Sequence, residues 1–358
     1  MAEGSISLVY VGARTTRERN AHGDGLNVYQ MDNATGAWTH VQLVANLVNP
    51  SFLAFDRTRR FLYVVHGDLS DITAMAIDPL NGTLREINRQ STEGKNPVHL
   101  AVDPGNRFVV VANHITSTLA LLPRNDDGSL GAVIDLVKPE GKVGPHRFEQ
   151  PFAKPHQVEF DPSGTFIVVP DKGLDLVFTY RIDIDKGKLI QATRPVQARE
   201  GAGPRHVAFH PGGRLAYVVN ELDSTVAAYR FDPASGALAP FQIVSALPDT
   251  FTRNSRAAEI VVSADGRFLY ASNRGDDSIA IFAIDASSGR LSPVAWTASG
   301  GKTPRFIALA PSGKFLFAAN EDSDTVSLFE RNAESGLLAA TDRTIHVGSP
   351  VCILFKAL

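Results

Sequence analysis

A pair of short apolar strands around a turn rich in glycine and proline recurs along the whole chain. The six copies run PSFLAFDRTRRFLYVVHGD (50–68), PVHLAVDPGNRFVVVANHI (97–115), PHQVEFDPSGTFIVVPDKG (155–173), PRHVAFHPGGRLAYVVNEL (204–222), AAEIVVSADGRFLYASNRG (257–275) and PRFIALAPSGKFLFAANED (304–322). Runs of β-branched and aromatic residues favour strands, and glycine and proline supply the backbone angles of a tight turn. Each copy is therefore predicted to form a β-hairpin.

The spacing of the copies indicates what the hairpins belong to. The position just before each turn falls at residues 57, 104, 162, 211, 264 and 311, in steps of 47, 58, 49, 53 and 47 residues. Repeats of ~40–50 residues are typical of propellers. Two further strands follow each hairpin, as in VAAYRFD and the segment after the turn at 233–236. One repeat is therefore predicted to form one blade of four antiparallel strands.

The two ends of the chain share a seventh repeat. PVCILF (350–355) matches PSFLAF, and the rest of that unit, SLVYVGA (7–13) with GLNVYQMD and AWTHVQLV after it, stands at the start. Pairing the two ends removes an exposed sheet edge. We therefore predict an all-β fold, a seven-bladed β-propeller whose last blade is closed by the N- and C-terminal strands, with residues 1–358 as a single domain. An open solenoid is the alternative, but it needs polar capping units at its ends.

Composition limits the possible partners. A net charge of -3 and a pI near 6.4 give no general attraction to nucleic acid or to an anionic membrane. Cys352 is the only cysteine, which excludes a disulfide framework and a cysteine-rich zinc site. No stretch approaches the ~20 apolar residues of a membrane span, and the start lacks a basic segment followed by an apolar run. We expect a cytoplasmic protein without nucleic-acid or membrane partners, and find no signal for an oligomeric state.

Equivalent positions of the repeats should form rings around the propeller axis. The start of the first strand gives the ring Ser51, Val98, His156, Arg205, Ala258, Arg305 and Val351, followed by Phe52, His99, Gln157, His206, Glu259, Phe306 and Cys352. The end of the second strand gives Gly67, His114, Lys172, Glu221, Arg274, Glu321 and Ala13. Because the two strands are antiparallel neighbours, these rings lie on the same side of the disc.

Charged residues of these rings should meet at one mouth of the channel. They are the cations Lys172, Arg205, Arg274 and Arg305, with His156, and the acids Glu221, Glu259 and Glu321. Arginine grips a carboxylate or phosphate through two parallel hydrogen bonds, so the excess of cations predicts a small anionic substrate. Ion pairs that merely hold blades together are the alternative. Uncharged residues at equivalent positions in other blades, such as Val98 and Val351, argue that the fold itself does not need these charges.

Two residues at this mouth are candidates for proton transfer. His156 has an ordinary pKa near ~6.5, and Glu221 would suit the role if burial raised its pKa. The histidines outside the site have no metal-ligand spacing, and neither a Gly-x-Ser-x-Gly elbow nor a glycine-rich phosphate loop is present. No metal or cofactor is therefore expected. The segment 139–147 lengthens the 58-residue step; it is a surface loop or overhangs the mouth, supplying His146 or Arg147.

The segments KPHQVEFDPSG, GPRHVAFHPGGRLAYVVNELDSTV, AAEIVVSADGRFLYASNRGDDSIAIF and TPRFIALAPSGKFLFAANEDSDTV closely resemble the lactonase family of seven-bladed propellers, over nearly all of the chain. The resemblance implies that His156, Arg205, Glu221 and Arg274 are catalytic. Lys172, His206, Glu259, Arg305 and Glu321, taken from the rings, are expected to bind substrate. The first blade carries His66-Gly67-Asp68 where family members often have Asn-Glu, which questions a substrate contact from that blade.

The resemblance implies two activities, both without metal or organic cofactor. The leading hypothesis is a lactonase that hydrolyses an anionic sugar lactone such as 6-phosphogluconolactone. Glu221 or His156 would be the general base, and Arg205 or Arg274 would stabilise the oxyanion. The first alternative is a 3-carboxy-cis,cis-muconate cyclase, in which the arginines hold substrate carboxylates. The second is a propeller that binds a partner without catalysis.

Overall fold

The architecture is a ring of seven antiparallel β-sheets, as the sequence predicts. The structure, a computed structural model, describes residues 6–357. The innermost strands of neighbouring sheets contact each other, and the contact between the strands that begin at Pro350 and Pro50 closes the ring. Two short 3-10 helices lie outside the sheets, at Arg17–Arg19 and Glu321–Ser323. No helix within residues 6–357 has the length and apolar character needed to span a membrane.

The first blades follow the chain, with the innermost strand first. The N-terminal strands are β1 (Ile6–Ala13), β2 (Gly25–Asp32) and β3 (Trp38–Ala45). Blade one contains β4 (Pro50–Phe55), β5 (Phe61–His66), β6 (Asp71–Ile77) and β7 (Leu84–Ser91). Blade two contains β8 (Pro97–Val102), β9 (Phe108–Asn113), β10 (Thr118–Pro123) and β11 (Asp135–Val137). Blade three contains β12 (Glu159–Phe160), β13 (Ile167–Asp171), β14 (Leu176–Asp183) and β15 (Lys188–Gln191), and β16 (Val196–Gln197) also pairs with β14.

The remaining blades repeat this order. Blade four contains β17 (Pro204–Phe209), β18 (Leu215–Asn220), β19 (Thr225–Phe231) and β20 (Leu238–Ser245). Blade five contains β21 (Arg256–Val262), β22 (Phe268–Arg274), β23 (Ser278–Ile284) and β24 (Leu291–Ala298). Blade six contains β25 (Pro304–Leu309), β26 (Phe315–Asn320), β27 (Thr325–Arg331) and β28 (Leu338–His346). Blade seven joins β29 (Pro350–Ala357) to β1, β2 and β3.

Pairing of the two ends closes the seventh blade. β29 is antiparallel to β1 from the pair Ser7 and Ala357 to the pair Gly12 and Cys352. This confirms the predicted closure by the terminal strands. The hydrophobic core lies between neighbouring blades, where the middle strands of each sheet are almost fully buried. The outermost strands such as β7 and β20 alternate exposed and covered residues, so the polar faces lie at the rim.

The hairpin turns of the first three blades share one cap. Asp56, Asp103 and Asp161 each precede the turn, and one carboxylate oxygen accepts hydrogen bonds from two backbone N–H groups at the start of the next strand. For Asp56 these donors are Arg60 and Phe61, at 2.8 and 2.9 Å. Such side-chain bonds are why aspartate is favoured in turns. They fix the angle between the two inner strands of a blade.

A β-bulge lies at the channel end of the innermost strand in six blades. In blade four Pro204 pairs with Asn220 and His206 pairs with Val219, so Arg205 has no partner on β18. The same shift leaves unpaired the residues Ser51, Val98, Arg305 and Val351, and in blade five Ala258 with Glu259. A bulge re-aims the side chain of the extra residue. The first predicted ring therefore coincides with the bulges that turn side chains towards the mouth.

Four tyrosines link consecutive blades by the same hydrogen bond. Each stands in the second strand of its blade and donates its hydroxyl to the carbonyl of a turn glycine in the next blade. The pairs are Tyr10 with Gly82, Tyr63 with Gly128, Tyr217 with Gly289 and Tyr270 with Gly336, at 2.9 to 3.0 Å. Blade six carries Phe317 at the equivalent position, so apolar packing alone can fill this place.

Replacing Tyr217 by phenylalanine tests this link. Tyr217→Phe keeps the buried ring but removes the hydrogen bond to Gly289, and we expect the free energy of unfolding to fall by about 1 kcal/mol. Chemical denaturation measures the loss. Tyr229 is equally buried and has no side-chain hydrogen bond among residues 6–357, so Tyr229→Phe is the matched control. Equal losses in both variants would show that the hydroxyl of Tyr217 adds nothing.

Candidate active site

Glu221 lies at the centre of the mouth, between cations from three blades. Its Oε1 is 2.7 Å from Lys172 Nζ, and its Oε2 is 3.2 Å from Arg205 Nε and 3.3 Å from Arg274 Nη2. Lys172 and Glu221 stand at the ends of second strands, whereas Arg205 occupies the bulge of β17. The structure thus brings together three of the four residues expected to be catalytic, with Lys172 beside them.

The surrounding charges decide the protonation of Glu221. Burial alone would raise the pKa of this carboxyl, but the positive charges of Arg274, Lys172 and Arg205 outweigh it and hold the pKa well below its usual range. Glu221 is therefore a carboxylate at neutral pH and a weak base. The sequence interpretation that Glu221 serves as general base needs a raised pKa, and the direction found here is the opposite.

The two arginines are also fixed by backbone carbonyls. Arg205 donates from Nη1 to the carbonyl of Ala258, and Arg274 donates from Nη2 to the carbonyl of Ala257 at 3.0 Å. Burial lowers the pKa of Arg205 to about 9, with a further contribution from the charge of Arg274. Arg205 still carries its charge at neutral pH. These bonds hold both guanidinium groups in place without neutralising them.

A second group of charges lies on the other side of the mouth. Arg305 Nη1 is 3.5 Å from Glu321 Oε2, and Arg14 Nε is 4.0 Å from Glu321 Oε1. Arg14 follows β1 and occupies the space beside Gly67, where a Cβ atom would lie 2.2 Å from its Nη1. The missing side chain at Gly67 therefore makes room for the guanidinium. Blade one thus contributes space in place of the Asn-Glu pair common in the family.

His156 belongs to a chain of four imidazoles. The ring centroid of His156 lies 5.0 Å from that of His114 and 5.1 Å from that of His206, and His206 lies 5.6 Å from His99. Burial, followed by the charge of Arg205, holds the pKa of His156 well below its usual range. Nδ1 of His156 is buried and has no hydrogen-bond partner within residues 6–357. His156 is therefore a neutral imidazole with an uncommitted nitrogen.

His206 and Glu259 form a buried pair one step deeper in the channel. Nδ1 of His206 lies 3.0 and 3.1 Å from the two carboxylate oxygens of Glu259. Burial raises the pKa of Glu259 to about 7, against the opposing charge of Arg205. When Glu259 is ionised it accepts a hydrogen bond from Nδ1–H of His206, which leaves Nε2 of the neutral imidazole as an acceptor. Nε2 has no partner among the described residues.

A small cavity joins these groups. Its volume is about 20 Å³, enough for one water molecule. Several buried polar atoms of its wall have no hydrogen-bond partner within residues 6–357: Nε and Nη1 of Arg14, Oγ of Ser51, Nδ1 of His156, Nε of Arg205 and Nε2 of His206. Arg205 Nε lies close to the carboxylate of Glu221, but its N–H bond is not directed at the carboxylate oxygen well enough to form a hydrogen bond. Buried polar groups without partners are uncommon in proteins and commonly mark functional sites.

The chain reaches the mouth just after the predicted segment 139–147, through a residue that the sequence interpretation did not select. Glu149 Oε2 lies 2.8 Å from Lys172 Nζ, and Glu149 Oε1 lies 2.7 Å from Arg256 Nη2. Arg256 Nη1 is also 3.8 Å from Glu221. His146 instead accepts the backbone N–H of Glu149, and Arg147 lies exposed against Phe148. This part of the chain supplies a carboxylate rather than a further cation.

We call the ion-paired residues of this region the basic mouth. They are the cations Arg14, Lys172, Arg205, Arg256, Arg274 and Arg305, and the carboxylates Glu149, Glu221 and Glu321. Six cations face three carboxylates, so the pairing does not neutralise the site. The described residues contain no group of three or more histidine, cysteine or acidic side chains arranged to hold a metal ion.

The sequence interpretation missed three members of the basic mouth. Arg256 stands one residue before the fifth repeat, which begins at residue 257. Arg14 stands one residue beyond Ala13, the ring position of its blade. Both follow directly from aligned positions, so a window wider by one residue finds them. Glu149 lies in an insertion that no other repeat contains, and its position carries no such signal.

Comparison with known proteins agrees with the resemblance seen in the sequence. The 6-phosphogluconolactonase of Bacillus subtilis is 36% identical over 349 residues, which are 97% of either chain. The 6-phosphogluconolactonase of Formosa agariphila is 31% identical and covers 85% of this chain and 86% of its own. The periplasmic gluconolactonase of Pseudomonas aeruginosa superposes with a TM-score of 0.91 at 32% identity and covers 98% of this chain and 99% of its own. The family model "Lactonase, 7-bladed beta-propeller" matches residues 8–355, and the chain belongs to this family.

Proposed function

We propose that this protein is a lactonase that hydrolyses an anionic sugar lactone, with 6-phosphogluconolactone as the leading candidate. The observation that carries the proposal is the group of unpaired buried polar atoms around a cavity for one water molecule, set within a mouth with excess positive charge. The relatives from Bacillus and Formosa, which carry the name 6-phosphogluconolactonase, support this substrate class.

His156 is the general base in this proposal. Its imidazole is neutral because burial and the charge of Arg205 disfavour protonation, and it borders the cavity. The base takes a proton from water while the water oxygen forms a bond to the ring carbonyl carbon. The C–O bond of the ring then breaks, and the protonated imidazole returns the proton to the leaving oxygen. One water is consumed and a hydroxy acid is produced.

Arg205 and Arg274 stabilise the oxyanion that forms on the carbonyl oxygen. Both are anchored to backbone carbonyls, so little reorganisation accompanies the charge that develops during the reaction. Glu221 is an electrostatic partner of the two arginines rather than a base. Its carboxylate holds like charges together that would otherwise repel one another.

The remaining residues of the mouth bind the substrate around this centre. Lys172 and Arg305 supply positive charge, and Glu321 positions the guanidinium of Arg305. His206, held by Glu259, directs Nε2 towards the cavity, where it can accept a hydrogen bond from a sugar hydroxyl. A purely structural scaffold has no need for so many unpaired buried polar atoms around one cavity. A cytoplasmic location stays a prediction from the sequence, and the Pseudomonas relative is named periplasmic.

Arginine substitutions test the oxyanion role. We expect Arg205→Ala and Arg274→Ala each to lower kcat/KM for 6-phosphogluconolactone ~100-fold, the usual effect of removing one oxyanion donor. Rates are measured after subtraction of spontaneous hydrolysis. Arg214→Ala removes an exposed arginine at the β17–β18 turn, at the opposite end of these strands, and is the matched control. Equal rates in wild type, Arg205→Ala and Arg274→Ala would refute the lactonase proposal.

The dependence of kcat/KM on pH tests the base. A general base acts above its pKa, and the pKa of His156 lies well below the ordinary ~6.5, so kcat/KM should stay level from pH ~8 to ~6. Glu259, with a pKa of about 7, also titrates in this range, and the profile is therefore recorded again in Glu259→Gln. The phosphate of the substrate also titrates near pH ~6, so the profile is repeated with unphosphorylated gluconolactone. An acid limb near pH ~6.5 that persists in Glu259→Gln with this substrate would contradict His156 as a base of lowered pKa.

One observation supports the alternative hypothesis that the protein is a 3-carboxy-cis,cis-muconate cyclase. Arg14 and Arg305 share the single carboxylate of Glu321, and such a guanidinium pair suits a substrate with several carboxylates. We expect at most slow turnover of 3-carboxy-cis,cis-muconate, followed by its loss of ultraviolet absorbance. Turnover of this compound faster than turnover of 6-phosphogluconolactone would make cyclisation the main activity.

A further inference from the structure

We infer that Lys172, Arg256 and Lys154 form a binding site for the phosphate group of the substrate, and that Glu149 occupies this site until the phosphate displaces it. The inference names the charged part of the substrate and rests on the proposed function. It assigns Glu149 a role in specificity, as an internal anion that only a more highly charged group can replace.

The contacts of Glu149 show that this position holds an anion. Each carboxylate oxygen contacts a different cation, Oε2 with Lys172 at 2.8 Å and Oε1 with Arg256 at 2.7 Å. The cations come from different blades, since Lys172 follows β13 and Arg256 begins β21. Two oxygens of a phosphate have a similar spacing and carry more charge, so they can make the same two contacts.

Lys154 adds a third cation that has no anionic partner. It is buried, it forms no ion pair within residues 6–357, and its Nζ lies 5.0 Å from the centre of the Phe152 ring. Burial lowers the pKa of Lys154, and the charge of Lys172 lowers it further. Glu149 and Glu221 oppose this effect. Lys154 lies beside Lys172, whose backbone N–H donates to the carbonyl of Lys154 at 3.0 Å. The three cations exceed the single charge of Glu221 by two, so an incoming dianion matches the remainder better than Glu149 does.

The loop is built so that the side chain of Glu149 can leave without moving the backbone. Gln150 donates from Nε2 to the carbonyl of Lys172 at 2.9 Å and to Asp175 at 2.7 Å. The backbone N–H of Lys154 donates to Asp171 at 2.8 Å. The chain is therefore fixed on the C-terminal side of Glu149, while its own side chain is held by ion pairs alone.

Glu149 is more exposed to solvent than Glu221, the carboxylate at the centre of the mouth. The side chain of Glu149 is 20% exposed and its partner Arg256 is 41% exposed, whereas Glu221 is only 5% exposed. Rotation carries the Glu149 carboxylate into solvent, where its charge is hydrated. Glu221 has no such path. Lys172 contacts both carboxylates, so a phosphate in place of Glu149 shares this lysine with Glu221 on the side nearer to solvent.

Inorganic phosphate is the probe for this site. Isothermal titration at constant ionic strength compares the wild type with Glu149→Gln, and we expect the Kd for phosphate to fall ~10-fold because a like charge a few ångströms away is removed. Arg256→Gln should weaken binding by a similar factor. Glu140→Gln removes the same charge from an exposed residue of the same segment and should leave Kd unchanged. Thermal unfolding of each variant shows that it is folded.

An unchanged or higher Kd in Glu149→Gln overturns the inference, because Glu149 then does not compete with phosphate. Kinetics add a second criterion. Glu149→Gln should lower KM for 6-phosphogluconolactone and leave KM for unphosphorylated gluconolactone unchanged, and an equal shift for both also overturns it. The phosphate titration needs no catalysis. Tighter phosphate binding in a protein without lactonase activity refutes the proposed function alone, and lactonase activity with Kd insensitive to Glu149 refutes this inference alone.

Discussion

The attraction between the Glu221 carboxylate and three buried cations is the interaction on which the site depends. Lys172, Arg205 and Arg274 come from three blades, and without a negative charge between them their repulsion would act in a poorly solvated region. One carboxylate can hold these cations together but cannot cancel them. The same contacts hold the pKa of Glu221 well below its usual range, so the charges that stabilise the mouth also make Glu221 a poor base.

The propeller supplies these charges through a repeated irregularity. A bulge at the channel end of the innermost strand leaves one residue unpaired in five blades, for example Ser51 or Val98 in some and Arg205 or Arg305 in others. The backbone geometry of the bulge is thus shared by most blades, whereas the side chain at the bulge differs from one blade to the next. Gly67 shows the same dependence on a single residue, because its lack of a side chain leaves room for Arg14 from the neighbouring blade.

Repeat spacing was sufficient to predict the blades, the closure of the ring and the meeting of Arg205, Glu221 and Arg274, since equivalent positions must form rings. It also placed His156 on the same side, where it borders a cavity with Arg205. It was insufficient for Glu149, whose loop has no counterpart in another blade. It was also insufficient for protonation. Burial and neighbouring cations act in opposite directions on Glu221, and only distances decide that the cations dominate. The first failure concerns a segment that the repeat does not relate to any other, and the second concerns distances, which aligned positions do not give.

The two carboxylates that contact Lys172 favour one orientation of the substrate in the mouth. Glu221 lies deep, next to Arg205, which borders the cavity together with His156. Glu149 lies at the more exposed side of the lysine that both carboxylates contact. A substrate that exchanges its phosphate for Glu149 therefore has its uncharged ring directed inward, towards the water-sized cavity. The opposite orientation would place the phosphate against Glu221, whose charge cannot be moved to solvent. The arrangement of fixed and displaceable carboxylates thus favours the productive orientation, and it does so before any contact with the reacting carbonyl is made.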